Sequence, residues 1–192
     1  MKQAFFNFIA QHVQLTLEEK AYVDQLLPIQ TFPKGAFLLQ EQNISRQFFF
    51  VIKGCVRLFY VVDGLEKSAF FYTENDFVSS YESFTKQTLS KHNFQATEKT
   101  EVLVISDEHA YQLLTFSPKF DFLARIIMEE ELVAYQDIVA SFITLNPKQR
   151  YLKFLNHKGN LLNRLPQHYI ASYLGISAES LSRIKKRIAP KS

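Results

Sequence analysis

Cysteine is almost missing from this chain. One residue in 192, Cys55, excludes an internal disulfide and any all-cysteine cluster within a single chain. A reducing, cytoplasmic location is the default expectation. Long hydrophobic runs are missing too, and no stretch approaches the eighteen apolar residues of a membrane-crossing helix. The N-terminal segment MKQAFFNFIAQHVQ carries an apolar patch without a small-residue cleavage site, so a helix is expected there and not a leader. Low-complexity tracts and repeats of solenoid length are absent. The five histidines (12, 92, 109, 157 and 168) are scattered, with no H-x-H or H-x-x-x-H pair to hold a metal as cupin-type enzymes do. G-x-S-x-G, P-loop and dinucleotide fingerprints are also lacking. An enzyme is therefore not expected.

What is present is apolar and aromatic, with 47% hydrophobic residues including 19 Phe and 9 Tyr, enough to build a packed core. Phe5, Phe6, Phe8 and Ile9 give a first helix a wide apolar face. Thr16 and Glu19 form a capping box that opens a second helix running to about Leu27, before Pro28. From Ile29 to Ile105 the pattern changes to short strands. Lys34-Gly35 and Lys53-Gly54 read as turns, and Asp63-Gly64 as a two-residue hairpin loop. Gln47–Ile52 and Cys55–Val62 are rich in aromatic and β-branched residues, and Phe94–Glu98 and Glu101–Ile105 complete the set. Strands this closely spaced predict an antiparallel roll or barrel. A short helix over Asp107–Leu114 follows. Pro118 then opens a helix from Lys119 to about Leu145, closed by Asn146-Pro147. At ~1.5 Å per residue that helix would be on the order of 40 Å long.

On that helix Phe122, Ile126, Val133, Ala140 and Ile143 recur at near-heptad spacing, with Glu129 and Gln136 interrupting the seam. Leu123, Ile127, Leu132 and Val139 widen the apolar face. Two surfaces are needed to bury it: the protein's own roll on one side and an identical helix on the other.

The segment Gln167–Lys186 reads as two short helices joined by a tight turn. Ile170, Ala171 and Leu174 share one face of the first helix, and Leu181 and Ile184 one face of the second. Gly175 falls where a left-handed residue ends a helix, Ile176 plugs the turn and Ser177 caps the next helix. Ser177, Glu179, Ser180, Ser182, Arg183 and Lys186 are left facing outward, with side chains suited to base edges and phosphates. Charge agrees. Leu145–Ser192 holds ten Lys/Arg and one acid, a net +9, whereas the rest of the chain is at −6. Positive charge segregated at one end predicts a polyanion partner. Ser177 and Ser180, near the helix N-terminus, and Lys185, Lys186 and Arg187 suit phosphates.

A strand-rich roll, a long helix and a C-terminal helix-turn-helix, in that order, resemble the Crp/Fnr family of dimeric bacterial transcription regulators. The most specific pieces are IASYLGISAESLSRIKKRI (Ile170–Ile188) and FFFVIKGCVRLFYVVDG (Phe48–Gly64). The resemblance implies an α+β fold with three parts. These are an antiparallel β-roll (double-stranded β-helix) effector domain over 1–117, a dimerisation helix over 118–146, and a winged-helix-like helix-turn-helix domain over 147–192. It places the family's base-reading Glu and Arg on Glu179 and Arg183, with Ser182 as in the anaerobic-regulator branch and Ala178 where the cyclic-AMP branch has another arginine. It implies a homodimer on an inverted-repeat operator in double-stranded DNA, with RNA polymerase as a candidate partner and no membrane. The cyclic-nucleotide pocket of the family falls on Val78, Ser79, Ser90 and Lys91, which supply neither the ribose acid nor the phosphate-gripping arginine. Cyclic AMP is thus not the expected effector, and the effector is left open. One cysteine cannot hold an iron–sulfur cluster. His92 and His109 are the histidines in or near the roll that a haem iron would need, and no cofactor is expected. The alternative is a small-molecule module whose C-terminal helices contact protein instead of DNA.

Overall fold

The computed structural model describes residues 2–188. Two helices come first, α1 (Gln3–Ala10) and α2 (Leu17–Leu26). The Thr16–Glu19 box is formed: the Thr16 hydroxyl accepts from Glu19 N, and the Glu19 carboxylate accepts from Thr16 N at 2.7 Å. Eight strands follow: β1 (Ile29–Phe32), β2 (Phe37–Leu39), β3 (Gln47–Lys53), β4 (Val56–Val62), β5 (Leu65–Tyr72), β6 (Phe77–Val78), β7 (Asn93–Ala96) and β8 (Thr100–Ser106). A short helix, α3 (Tyr81–Lys86), interrupts them, and α4 (Asp107–Phe116) follows β8. The strands form two four-stranded sheets, in the orders β1-β8-β3-β6 and β2-β7-β4-β5. This is the antiparallel β-roll that the strand spacing predicts.

Turn chemistry sets the hairpins. Asp63 and Gly64 both have positive φ, 53° and 75°, as the tight loop between β4 and β5 requires. Gly54 is held for a different reason as well. A Cβ there would lie 2.5 Å from Thr100 Oγ1, and the neighbouring Cys55 N donates to that same oxygen. Cys55 is buried.

Alternation divides the first sheet. Phe50 pairs with Leu103 and with Phe77, and these face a core shared with Phe5, Ile9, Val23, Leu113, Phe120 and Leu123 of the helices. Phe49, Val51, Val78, Val102 and Val104 take the opposite face and are buried within the roll. Leu58, Phe71 and Phe94 of the second sheet are buried as well. Between α2 and the chain after α4, the buried Glu19 carboxylate accepts from Ser117 Oγ at 2.7 Å and pairs with Lys119 Nζ at 2.9 Å. The Lys119 hydrogen bond is the chief cause that holds its pKa down at about 2, opposed by burial and helped by Thr16 N and Ser117.

The long helix, α5, spans Pro118–Thr144. It is followed by α6 (Pro147–Lys158), a 3-10 turn (Gly159–Asn163), α7 (Gln167–Tyr173) and α8 (Ala178–Ile188). Asn146 caps α6 through its own box with Gln149, with Pro147 at the first turn. Among the described residues after α5 there are helices and turns only, with no wing strand. Residues up to Leu58 together with Phe71–Glu131 make one compact unit. Phe59–Phe70 together with Leu132 onward make a second. The expected boundaries near 117 and 146 mark the ends of α5, which itself runs through both units.

Candidate nucleic-acid interface and ligand domain

The second unit is organised around α7 and α8. Ile170, Ala171, Leu174 and Leu181 are all buried at its centre, as their spacing predicts. Gly175 has φ +69° and ends α7 in the left-handed region, while Ile176 N reaches back to Ala171 O at 3.0 Å. Ser177 is the cap of α8: its Oγ accepts from Ser180 N at 3.2 Å and its carbonyl from Leu181 N at 3.0 Å. Capping uses the Ser177 hydroxyl within the helix terminus. Ser180 is half-buried, and Arg183 Nη2 donates to its Oγ at 3.3 Å.

Glu179, Ser182, Arg183, Lys186 and Arg187 are exposed on α8, and Lys185 is half-exposed. The Glu179 carboxyl is held below the usual range, first by a hydrogen bond from Ser177, then by its own backbone N–H and by Arg183. It is therefore ionised at neutral pH, an acceptor beside a cation on one exposed helix face. Lys185, Lys186 and Arg187 crowd the last turn, where the helix dipole favours positive charge. Sequence position thus places an acceptor and a fork-shaped donor four residues apart, one turn along the same face.

Arg150 on α6 fastens this unit together. Its Nε and Nη2 donate to Leu174 O at 3.1 and 2.9 Å, and its Nη1 donates to Leu145 O at 2.7 Å. The guanidinium also lies 4.7 Å above the Phe142 ring. On the other side of α7, Ser68 N of the β4–β5 hairpin donates to Ser172 Oγ at 2.9 Å, and Ser172 donates on to Glu66 O at 3.3 Å. Neither Arg150 nor Ser172 was singled out from sequence.

Along α5 the heptad positions are uncovered. Val133 is 62% exposed and Ile143 77%; Phe122 and Ala140 are exposed, and Ile126 is half-buried. Leu132 and Val139 beside them are exposed too. Apolar side chains at this spacing form a stripe along the helix, interrupted by Glu129 and Gln136.

The four residues aligned with a nucleotide pocket do not converge. Val78 is buried on the inner face of the roll opposite Phe49. The Ser90 hydroxyl donates to His92 O at 2.8 Å and accepts from His92 N, so it is spent on its own turn. Lys91 projects to the surface and pairs with Glu82 at 2.9 Å. Ser79 is buried on the helix side of the sheet. Burial is the chief cause that lowers the His92 pKa, opposed by Glu82. Among the described residues no group of His, Cys, Asp and Glu is placed to hold a metal ion. Arg57 was missed from sequence: it sits wholly buried in β4, between Val56 and Leu58.

The chain thus carries a β-roll, one long helix and a helix-turn-helix, in that order. Residues 29–115 match the family described as the cyclic nucleotide-binding domain, and the chain as a whole has the fold of the Crp/Fnr-family regulators. FixK2 from Bradyrhizobium japonicum shares it with 16% identity and a TM-score of 0.73, over 84% of this chain and 84% of that one. A CooA mutant from Carboxydothermus hydrogenoformans is also 16% identical, with a TM-score of 0.68 over 87% and 78% of the two chains. The c-di-GMP-responsive regulator CLP of Xanthomonas campestris is 16% identical, with a TM-score of 0.67 over 88% and 91%. At these identities the likeness is one of fold. No curated protein sequence matches the chain significantly. Among the described residues no helix is long and apolar enough to cross a membrane.

Proposed function

We propose that this protein is a sequence-specific, DNA-binding transcription regulator of the Crp/Fnr type that acts as a homodimer on an inverted repeat. The observation that carries the reading is α8: a capped, well-anchored helix whose free face presents Glu179, Ser182, Arg183 and Lys186, followed by Arg187. Two such helices, paired through the exposed seam of Phe122, Ile126, Val133, Ala140 and Ile143, would enter successive major grooves about 34–36 Å apart. In this reading Arg183 contacts a guanine edge, and Glu179 accepts from cytosine N4 or orients that arginine. Ser180, Lys185, Lys186 and Arg187 hold phosphates, and Ser177 contributes mainly by capping the helix that reads.

The effector domain is read as one that does not take cyclic AMP. Ser90 and Lys91 are engaged elsewhere, and no arginine replaces them at those positions. RNA polymerase is a further candidate partner.

The test is selection of operators from a random duplex library by the wild type and by Arg183→Ala. The wild type should enrich an inverted repeat. Arg183→Ala should lose about 1–3 kcal/mol per half-site and relax preference at one base pair. An unchanged selected sequence would remove Arg183 from base reading. Failure of the wild type to retain any duplex at low salt would favour the protein-contact alternative.

A further inference from the structure

The first unit contains an apolar cavity of about 320 Å³ on the helix-packed face of the β1-β8-β3-β6 sheet. It lies on the opposite face of that sheet from Phe49 and Val78, so it is distinct from the interior of the roll. Rings dominate its walls. Phe48 and Phe84 lie 4.0 Å apart between centroids, and Phe8 meets Phe77 edge-on at 5.3 Å. Ala110 of α4 and Ala124 of α5 are the small apolar residues of its lining.

One polar group in this wall is unexplained. Ser79 is two residues beyond Phe77 in an extended segment, so it falls on the same face as that ring. It is 6% exposed, and its hydroxyl has no hydrogen-bond partner. A buried hydroxyl left unpaired is unfavourable by roughly 1–3 kcal/mol, so a partner for it is the expected completion of the site. The other hydroxyl of known engagement, Thr85, already donates to Tyr81 O at 2.7 Å. No lysine, arginine or histidine lines the cavity, and Glu131 lies on its α5 wall. An anion, including any phosphate or carboxylate, is therefore disfavoured.

We propose that this cavity binds an uncharged aromatic molecule of one or two rings carrying a single hydroxyl or carbonyl group, the rings packed among the phenylalanines and the polar group bonded to Ser79. The volume stands at the lower end of the ~300–1,000 Å³ range of small-molecule sites, which limits the guest to that size. Leu123, Ala124, Ile127 and Met128 of α5 form one wall, and Ile126 of the exposed seam is their neighbour on the same helix. That such a guest would act as an effector rests on the DNA-binding reading; that it binds does not.

The experiment titrates the full chain with 2-naphthol and with naphthalene. The chain has no tryptophan, so naphthalene-type emission can be followed without indole background. The wild type should bind one 2-naphthol per chain, about 3- to 10-fold more tightly than naphthalene, the worth of one net hydrogen bond. Ser79→Ala should bring that ratio to about one while leaving naphthalene affinity unchanged. Ala110→Leu, which fills the space, should weaken both ligands at least tenfold. No saturable binding of either ligand by the wild type overturns the proposal, as does an unchanged preference in Ser79→Ala. Because no DNA is present, failure here leaves the operator reading standing, and failure of operator selection leaves this result standing.

Discussion

Placing a lysine at Val133 tests the dimer seam directly. Val133 is 62% exposed on α5, within a stripe that includes Ile143 at 77%. Complete burial of a valine-sized side chain is worth ~1.5–3 kcal/mol, so covering the open part is worth about 1–2 kcal/mol. A two-fold axis repeats the substitution, giving a loss of about 2–4 kcal/mol before repulsion between the two ammonium groups is added. That corresponds to a rise in the dimer dissociation constant of about 30- to 700-fold. Sedimentation equilibrium on the wild type and Val133→Lys measures it. Asn160→Lys, exposed on the 3-10 turn after α6, adds the same charge away from the seam and should leave the equilibrium alone. A wild type that is monomeric at micromolar concentration, or a Val133→Lys dimer as tight as the wild type, would refute the argument.

Gly175→Ala should destabilise the second unit by about 1–2 kcal/mol, the price of a left-handed non-glycine residue. The added Cβ would also sit 3.0 Å from Phe142 Cε1, and hydrogen exchange of the α7 amides should report the loss. Glu19, with its pKa depressed to about 2 in the folded state, contributes stability that is present above its ordinary value near 4.5. That contribution is lost as pH falls through this window, so Glu19→Gln should flatten the acid limb of a stability–pH curve between about 4.5 and 2. Millimolar cyclic AMP should leave the melting temperature unchanged, since a ligand at 100 times its dissociation constant would add about 2.7 kcal/mol and be seen easily. Lys186→Ala should weaken binding to all duplexes alike and lower the slope of log K against log salt by about one counterion.

Features set by neighbouring residues were legible in the sequence. The box at Thr16, the positive-φ loop at Asp63-Gly64 and the ends of α5 all depend on residues a few positions apart. The α7–α8 turn was readable for the same reason, because glycine, plug and cap are contiguous. Features that depend on distant pairing were not. α3 lies between two strands and has no strong cap: its Ser80 makes no side-chain capping bond. The turn that absorbs Ser90 is tied by backbone bonds to Asn43 and Gln42, roughly 50 positions earlier, which no local pattern announces. Arg57 lies in a strand, where a charged side chain is expected to face solvent, yet the fold buries it completely. Its neighbours Val56 and Leu58 are apolar, so alternation alone would have exposed it. The family resemblance names residues for the nucleotide positions but does not say where their side chains go. Ser79 turned to the helices, Lys91 to Glu82, and only the assembled roll could tell those fates apart.

The three-bond grip of Arg150 bears on tolerance. One guanidinium holds the carbonyl at the end of α5 and the carbonyl at the end of α7, and it also stacks on Phe142. A rigid joint of this kind limits the angles at which α8 can be offered. In a dimer reading two grooves, stiffness lowers the orientational entropy lost on landing and narrows the half-site spacings that can be engaged. A looser joint would accept insertions between the half-sites at the expense of affinity for the best one. On the proposed reading, discrimination between operators of different length would reside partly in a side chain that need not touch the nucleic acid.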